Sequence, residues 1–138
     1  MGLVIAGITL SNCEDIILNR GGYIKKEAIR NVNVKAIVNC GAFMLEINEN
    51  IRTQLGLPTL EKIPACLPNG TICEVEIVGP VEIRFKNRRV ITQAIVLPGD
   101  NQVILGKHPL SAMDVVIDLK NQELLVNPEH PDKAQFRL

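Results

Sequence analysis

Val32-Asn33-Val34-Lys35-Ala36-Ile37-Val38-Asn39-Cys40-Gly41-Ala42 is the stretch that decides how the chain is read. Val32, Val34, Ala36 and Val38 alternate with Asn33 and Lys35, the period of a strand with one face on a core. Ile37 breaks the polar side, so the strand passes from half-exposed to buried as it reaches Asn39. Gly41-Ala42 then turns the chain into a second apolar run, Phe43-Met44-Leu45-Glu46-Ile47. Asn39 and Cys40 are thereby presented on a rigid turn, and the two small residues after them let backbone approach another surface closely. The competing reading is a tight hairpin without chemistry.

Working outward, residues 3–10 form a nearly continuous apolar run, which predicts a strand covered on both faces by the core or by a second subunit. Asn19-Arg20-Gly21-Gly22 reads as a turn, and residues 23–30 admit helix or strand. Beyond the central stretch, Asn48 is placed to cap a short helix over 48–55, with Glu49 in its first turn, Ile51 and Leu55 on one face, and Gly56 and Pro58 as its stop. Asn69-Gly70 between apolar runs predicts a hairpin. A two-residue loop there sets Cys66 opposite Cys73; Pro68, which lacks an N–H, also fits a wider loop.

Gly79-Pro80 separates that hairpin from a second one, 81–85 and 90–97, turned by Lys86-Asn87-Arg88-Arg89. Pro98-Gly99-Asp100-Asn101 leads to Val103-Ile104-Leu105-Gly106 and a helical turn around 109–113. Strands over 115–119 and 123–126 complete the body, and residues 133–138 alternate again. Strand signals recur without βα alternation, which predicts an all-β fold, closed or highly curved.

The 138 residues fit a single domain over 1–138, with a core over 1–126 and a tail over 127–138; such a chain buries roughly two-thirds of its unfolded surface. Fifteen basic and fifteen acidic side chains cancel, so no overall field favours nucleic acid, membrane or an acidic ligand, and neither nucleic acid nor membrane is expected as a partner. Lys25-Lys26 and Arg88-Arg89 read as solvated turn or edge residues. Cys13, Cys40, Cys66 and Cys73 lie in no zinc-ligand pattern, so no metal is expected. The apolar start lacks a basic leader, and Ala6 stands where a myristoylation signal needs Ser or Thr. The expectation is a soluble cytoplasmic protein whose thiols, Cys66 and Cys73 included, stay reduced.

The order of parts resembles the retropepsin-like aspartic peptidases, the single-domain dimeric relatives of the pepsins. An apolar strand ends in Asn39-Cys40-Gly41-Ala42, where the family carries Asp-Thr-Gly or Asp-Ser-Gly, usually followed by Ala; a short helix, an Asn-Gly hairpin, a second hairpin and Ile104-Leu105-Gly106 before a helical turn follow in order. The resemblance covers about residues 3–126. It implies a curved antiparallel barrel with a flap hairpin, no cofactor, and hydrolysis of extended peptides by a homodimer. Asn39 then takes the catalytic aspartate position and Cys40 that of a bracing hydroxyl. Leu67, Pro68, Asn69, Gly70 and Thr71 take the flap tip, and Ile104, Leu105 and Gly106 support the loop from behind. Residues 3–10, with the tail as a second candidate, would supply interface strands.

Asn39 departs from the family where it matters most. Two adjacent carboxylates share one proton, so one activates water while the other donates to the scissile carbonyl. An amide does neither. Losing general acid–base catalysis costs on the order of 10² to 10⁴ in rate, so the sequence as written is expected to be inactive, whether Asn39 is natural or engineered. The alternative is a non-catalytic peptide-binding or dimerisation module on the same fold. A cysteine peptidase based on Cys40 is disfavoured, because neither His108 nor His130 lies in a partner motif.

Overall fold

The computed structural model describes residues 3–99 and 102–138; Met1, Gly2, Asp100 and Asn101 of the segments considered above lie outside them. Nine strands and three short α-helices follow in the order β1 (Val4–Asn12), α1 (Cys13–Arg20), β2 (Asn31–Val38), β3 (Leu45–Ile47), α2 (Glu49–Leu55), β4 (Thr59–Cys66), β5 (Ile72–Phe85), β6 (Arg88–Val96), β7 (Ile104–Leu105), α3 (Lys107–Ala112), β8 (Val115–Asp118) and β9 (Glu123–Val126). A 3-10 turn at Lys26–Ala28 resolves the ambiguous segment between α1 and β2. Seven strands form one sheet in the order β1-β2-β7-β3-β6-β5-β4, and β1 also pairs with β5. That pairing closes the sheet into a barrel and leaves β4 outside it. The fold is all-β, as expected, and the pairings are antiparallel except for β2 with β7 and β3 with β6.

Alternation explains which face each strand turns inward. Val4, Ala6, Ile8 and Leu10 of β1 meet Ala36 and Val38 of β2, Leu45 and Ile47 of β3, Val81, Ile83 and Phe85 of β5 and Leu105 of β7 in one aliphatic core. In the single chain the outer face at the start of β1 stays open, with Leu3 63% and Ile5 47% exposed, so of the two covers that the apolar run admits the core supplies only one face there. α2 behaves as its sequence predicts, with the Asn48 side chain accepting from the Ile51 N–H and Gly56 closing the helix in the left-handed region at φ 62°.

α1 has no counterpart in the pattern reading. Its signal was local: the Asn12 side chain accepts from the Asp15 N–H at 3.1 Å, and Glu14 and Asp15 occupy the first turn. The same Asn12 side chain donates to the Leu55 carbonyl at 2.8 Å, joining the start of α1 to the end of α2. Buried Asp15 accepts from both the backbone and the guanidinium of Arg30, and this hydrogen bonding holds its carboxyl below the usual range.

β5 is continuous where a break was expected. Gly79-Pro80 forms a bulge, at which the register against β6 shifts between Val78 and Val81. Before the bulge β5 pairs with β4, and after it with β1. One strand therefore both carries the projecting β4–β5 hairpin and closes the barrel. The hairpin loop is also wider than two residues, for Cys66 pairs with Ile72 and Ala65 with Cys73. Cys66 and Cys73 thus point to opposite faces of the ribbon, and all four cysteines are free thiols. The physical reason is Pro68: it suits the first central position of a type I turn but cannot donate to Thr71, so Gly70 takes the left-handed position at φ 85° instead.

Arg88 was expected in solvent, yet it is only 1% exposed. The two-residue turn at Lys86 and Asn87 places it under the C-terminal segment, where its Nε donates to the Asp114 carbonyl at 3.2 Å and its Nη2 to the His130 carbonyl. The Asp114 carboxylate in turn accepts from the Gln135 N–H and the Asn127 amide and lies 2.8 Å from His130 Nδ1, so these hydrogen bonds lower its pKa to about 2. Residues 133–138, whose alternation suggested a strand, form none here. Replacing Arg88 with Met is expected to lower the unfolding free energy by roughly 2–3 kcal/mol, since buried carbonyls lose a charged donor; Asn87→Ala on the exposed turn should cost less. Urea unfolding of the two variants checks that order.

Candidate functional site

The loop between β2 and β3 is built by backbone contacts on three sides. β7 lies between β2 and β3 in the sheet, pairing in parallel with β2 through Ile37–Ile104 and Val38–Leu105 and antiparallel with β3 through Glu46–Ile104. The Ile37 N–H donates to the Val103 carbonyl at 2.9 Å and the Asn39 N–H to the Leu105 carbonyl at 3.1 Å. At the far side of the loop, the Lys107 N–H donates to the Ala42 carbonyl and the His108 N–H to the Phe43 carbonyl, both at 2.8 Å. The first turn of α3 is thus hydrogen-bonded to the loop, and the His108 and Phe43 rings lie 5.8 Å apart.

Gly106 makes this arrangement feasible. A Cβ there would come 2.7 Å from the Ala42 carbonyl oxygen and closer still to that of Met44, and both are backbone atoms that cannot swing away. The structure therefore brings Ile104, Leu105 and Gly106 behind Asn39, Cys40, Gly41 and Ala42, the arrangement the family resemblance implied. Leu67, Pro68, Asn69, Gly70 and Thr71 form the tip of the β4–β5 hairpin, whose hydrogen bonds are local: Leu67 N–H to Thr71 carbonyl, Gly70 N–H to Leu67 carbonyl, and Thr71 N–H to the Asn69 side chain.

Inside the loop, the Asn39 side-chain oxygen accepts from the Gly41 N–H at 2.8 Å, and the Ala42 N–H donates to the Asn39 carbonyl at 3.1 Å. The Asn39 side chain is exposed and held by its oxygen. A carboxylate accepts the same Gly41 hydrogen bond, so the loop geometry does not require the amide. Cys40 is exposed in the single chain.

Glu46 was read only as part of an apolar run. Register sets Ile37, Ile104, Glu46 and Ile95 side by side across four neighbouring strands, on the face away from the core. Burial among them pushes the Glu46 carboxyl above its usual pKa. Pairing was the missing signal, because the sequence places Glu46 on a strand but not among three isoleucines from other strands. Among the described residues no group of three or more His, Cys, Asp or Glu is placed to hold a metal ion, and no helix is long and apolar enough to cross a membrane.

No protein-family model and no curated protein sequence matches the chain. Among solved structures, the retroviral protease-like domain of Ddi1 from Leishmania major is similar over 93% of this chain and 90% of that one, with a TM-score of 0.58 and 17% sequence identity. The fold is retropepsin-like, and at this identity the likeness speaks for the fold alone.

Two outcomes follow from the geometry. Gly106→Ala should destabilise the chain by roughly 1–3 kcal/mol or more, because the clash is with backbone, measured by urea unfolding. Glu46 has a raised folded pKa, so its ionisation opposes folding as pH rises through the interval between its unfolded and folded values. Glu46→Gln should therefore raise the melting temperature at pH 7 and gain less at pH 4; thermal melts at the two pH values read the difference.

Proposed function

We propose that the chain is a retropepsin-like domain of the aspartic peptidase type, working as a homodimer that holds extended peptides and, with Asn39 in place of the catalytic aspartate, hydrolytically inactive as written. The observation that carries this reading is the Asn39 side chain at the tip of a loop backed by β7 and α3 in a retropepsin-like barrel. A single chain contributes one such loop, so completing a paired site takes a second copy across a two-fold axis. Exposed Ile5 on β1 and Leu3 just before it give that association an apolar surface.

A non-catalytic peptide-binding role is favoured by β4. That strand pairs with β5 on one side only, which leaves a main-chain edge to which an extended peptide can add. Strand addition needs no carboxylate, so it operates with Asn39 in place.

Asn39→Asp separates the two roles. The substitution keeps the acceptor for the Gly41 N–H and supplies one carboxylate per subunit. Two such groups brought together share a proton between their coupled apparent pKa values, so cleavage of an unfolded protein substrate should appear with an acidic optimum. Mixed dimers of substituted and unsubstituted chains should be strongly impaired. A well-folded dimeric Asn39→Asp variant that cleaves nothing from acidic to neutral pH would leave the peptide-binding module as the function; a monomer by sedimentation would remove the two-fold site altogether.

A further inference from the structure

We infer that the barrel carries a second binding site, a cationic cleft under α1 that takes a small polyanion bearing phosphate or carboxylate groups. The cleft has a volume of about 500 Å³ and is walled by Arg20 of α1, Lys26 of the 3-10 turn, Arg84 of β5 and Arg89 of β6. That volume is within the range of small-molecule sites, roughly 300–1,000 Å³. Its only lining carboxylate is Glu82, so the walls carry four cations and one anion, a formal excess of three positive charges in a chain whose net charge is zero.

The four cations come from separate elements and are exposed, but two of them are tied to a buried carboxylate. Arg84 and Arg89 are directly paired residues on β5 and β6, a like-charge juxtaposition that is unfavourable unless something compensates it. Glu82 is 5% exposed and supplies part of the compensation, with its carboxylate 3.6 Å from Arg84 Nη2 and 3.2 Å from Arg89 Nη1. It thereby fixes two guanidinium groups from below. Arg20 and Lys26 make no ion pair among the described residues. The C-terminal end of α1 accounts for a cation at Arg20, but not for three more converging from separate elements. Ile16 and Ile29 add apolar wall beside the charges, which suits a ligand with a short carbon body between its anionic groups.

The cleft is separate from the Asn39 loop. Ser11 and Asn31 line it and pair at one end of the β1–β2 ladder, whereas Val4 pairs with Val38, next to Asn39, at the other end. At the usual rise of a strand the two ends lie about 23 Å apart. Arginine forks recognise phosphate and carboxylate by paired hydrogen bonds, and Arg20 and Lys26, which line the same cleft without an ion pair among the described residues, are free to add to the contact.

Inorganic pyrophosphate is the probe, added to the full chain in titration calorimetry and in thermal melts. Saturable binding at one site per chain is expected, with a rise in melting temperature beyond that given by sodium chloride at equal ionic strength. Arg20→Gln with Lys26→Gln, both exposed positions, should weaken binding by about tenfold or more, whereas Lys62→Gln with Lys107→Gln, the same charge removed elsewhere, should leave it unchanged. Citrate in place of pyrophosphate distinguishes a carboxylate-bearing from a phosphate-bearing ligand, and binding of either supports the site. Absence of saturable binding by both, a chloride control that reproduces the stabilisation, or undiminished binding by the Arg20/Lys26 variant would overturn it. None of these readouts depends on peptidase activity.

Discussion

The structure depends on a backbone crossing that leaves no room for a side chain. Gly106 sits against the carbonyls of Ala42 and Met44, so the segment leaving the Asn39 loop and the segment entering α3 pass at van der Waals distance. Three consequences come from that contact. β7 reaches between β2 and β3, the first N–H groups of α3 donate to the loop carbonyls, and the loop between the two strands is supported from behind. Two residues of strand then suffice, because Ile104 is paired with both Ile37 and Glu46 and Leu105 with Val38, rather than being stabilised by length.

β5 supplies the second organising feature. A bulge at Gly79-Pro80 lets a single strand serve β4 before it and β1 after it, with β6 alongside. Barrel closure and the projecting hairpin are therefore covalently one element. The core that this encloses is almost wholly aliphatic: only 3% of the chain is aromatic and Phe85 is the one aromatic side chain buried in it. Polar ties at the periphery hold the remaining segments, with Asn12 bridging two helix ends, Asp15 gripping Arg30, and Arg88 holding the C-terminal segment through carbonyls. Buried polar groups contribute here because they are satisfied.

Charge and site chemistry are divided between the two ends of the barrel. Beside the Asn39 loop, Glu46 is the carboxyl drawn in among isoleucines, and its pKa is raised for that reason. At the far end four cations meet over a buried glutamate. A net charge of zero conceals this division, since an average over fifteen basic and fifteen acidic residues says nothing of where they meet.

Local chemistry was legible in the amino-acid order. The alternation of β2, the Asn48 and Gly56 caps of α2, the small residues at 41, 42 and 106 and the Lys86-Asn87 turn are each decided by neighbours in the chain, through period, capping or steric room. They sufficed for an all-β class and for the turn at Asn39, whereas the strand behind that turn was implied only by the resemblance of the whole order of parts. α1 was legible too, in its Asn12 cap and acidic first turn, but stood in the shadow of a long apolar strand. Where partners are distant in sequence, pattern could not decide. A one-residue change of loop length moved Cys66 off Cys73, strand pairing put Glu46 among Ile37, Ile95 and Ile104, and docking of the C-terminal segment buried Arg88. Register and burial arise from which strands meet and how a loop closes, and those are settled by the free energy of the whole packed chain rather than by any window of it.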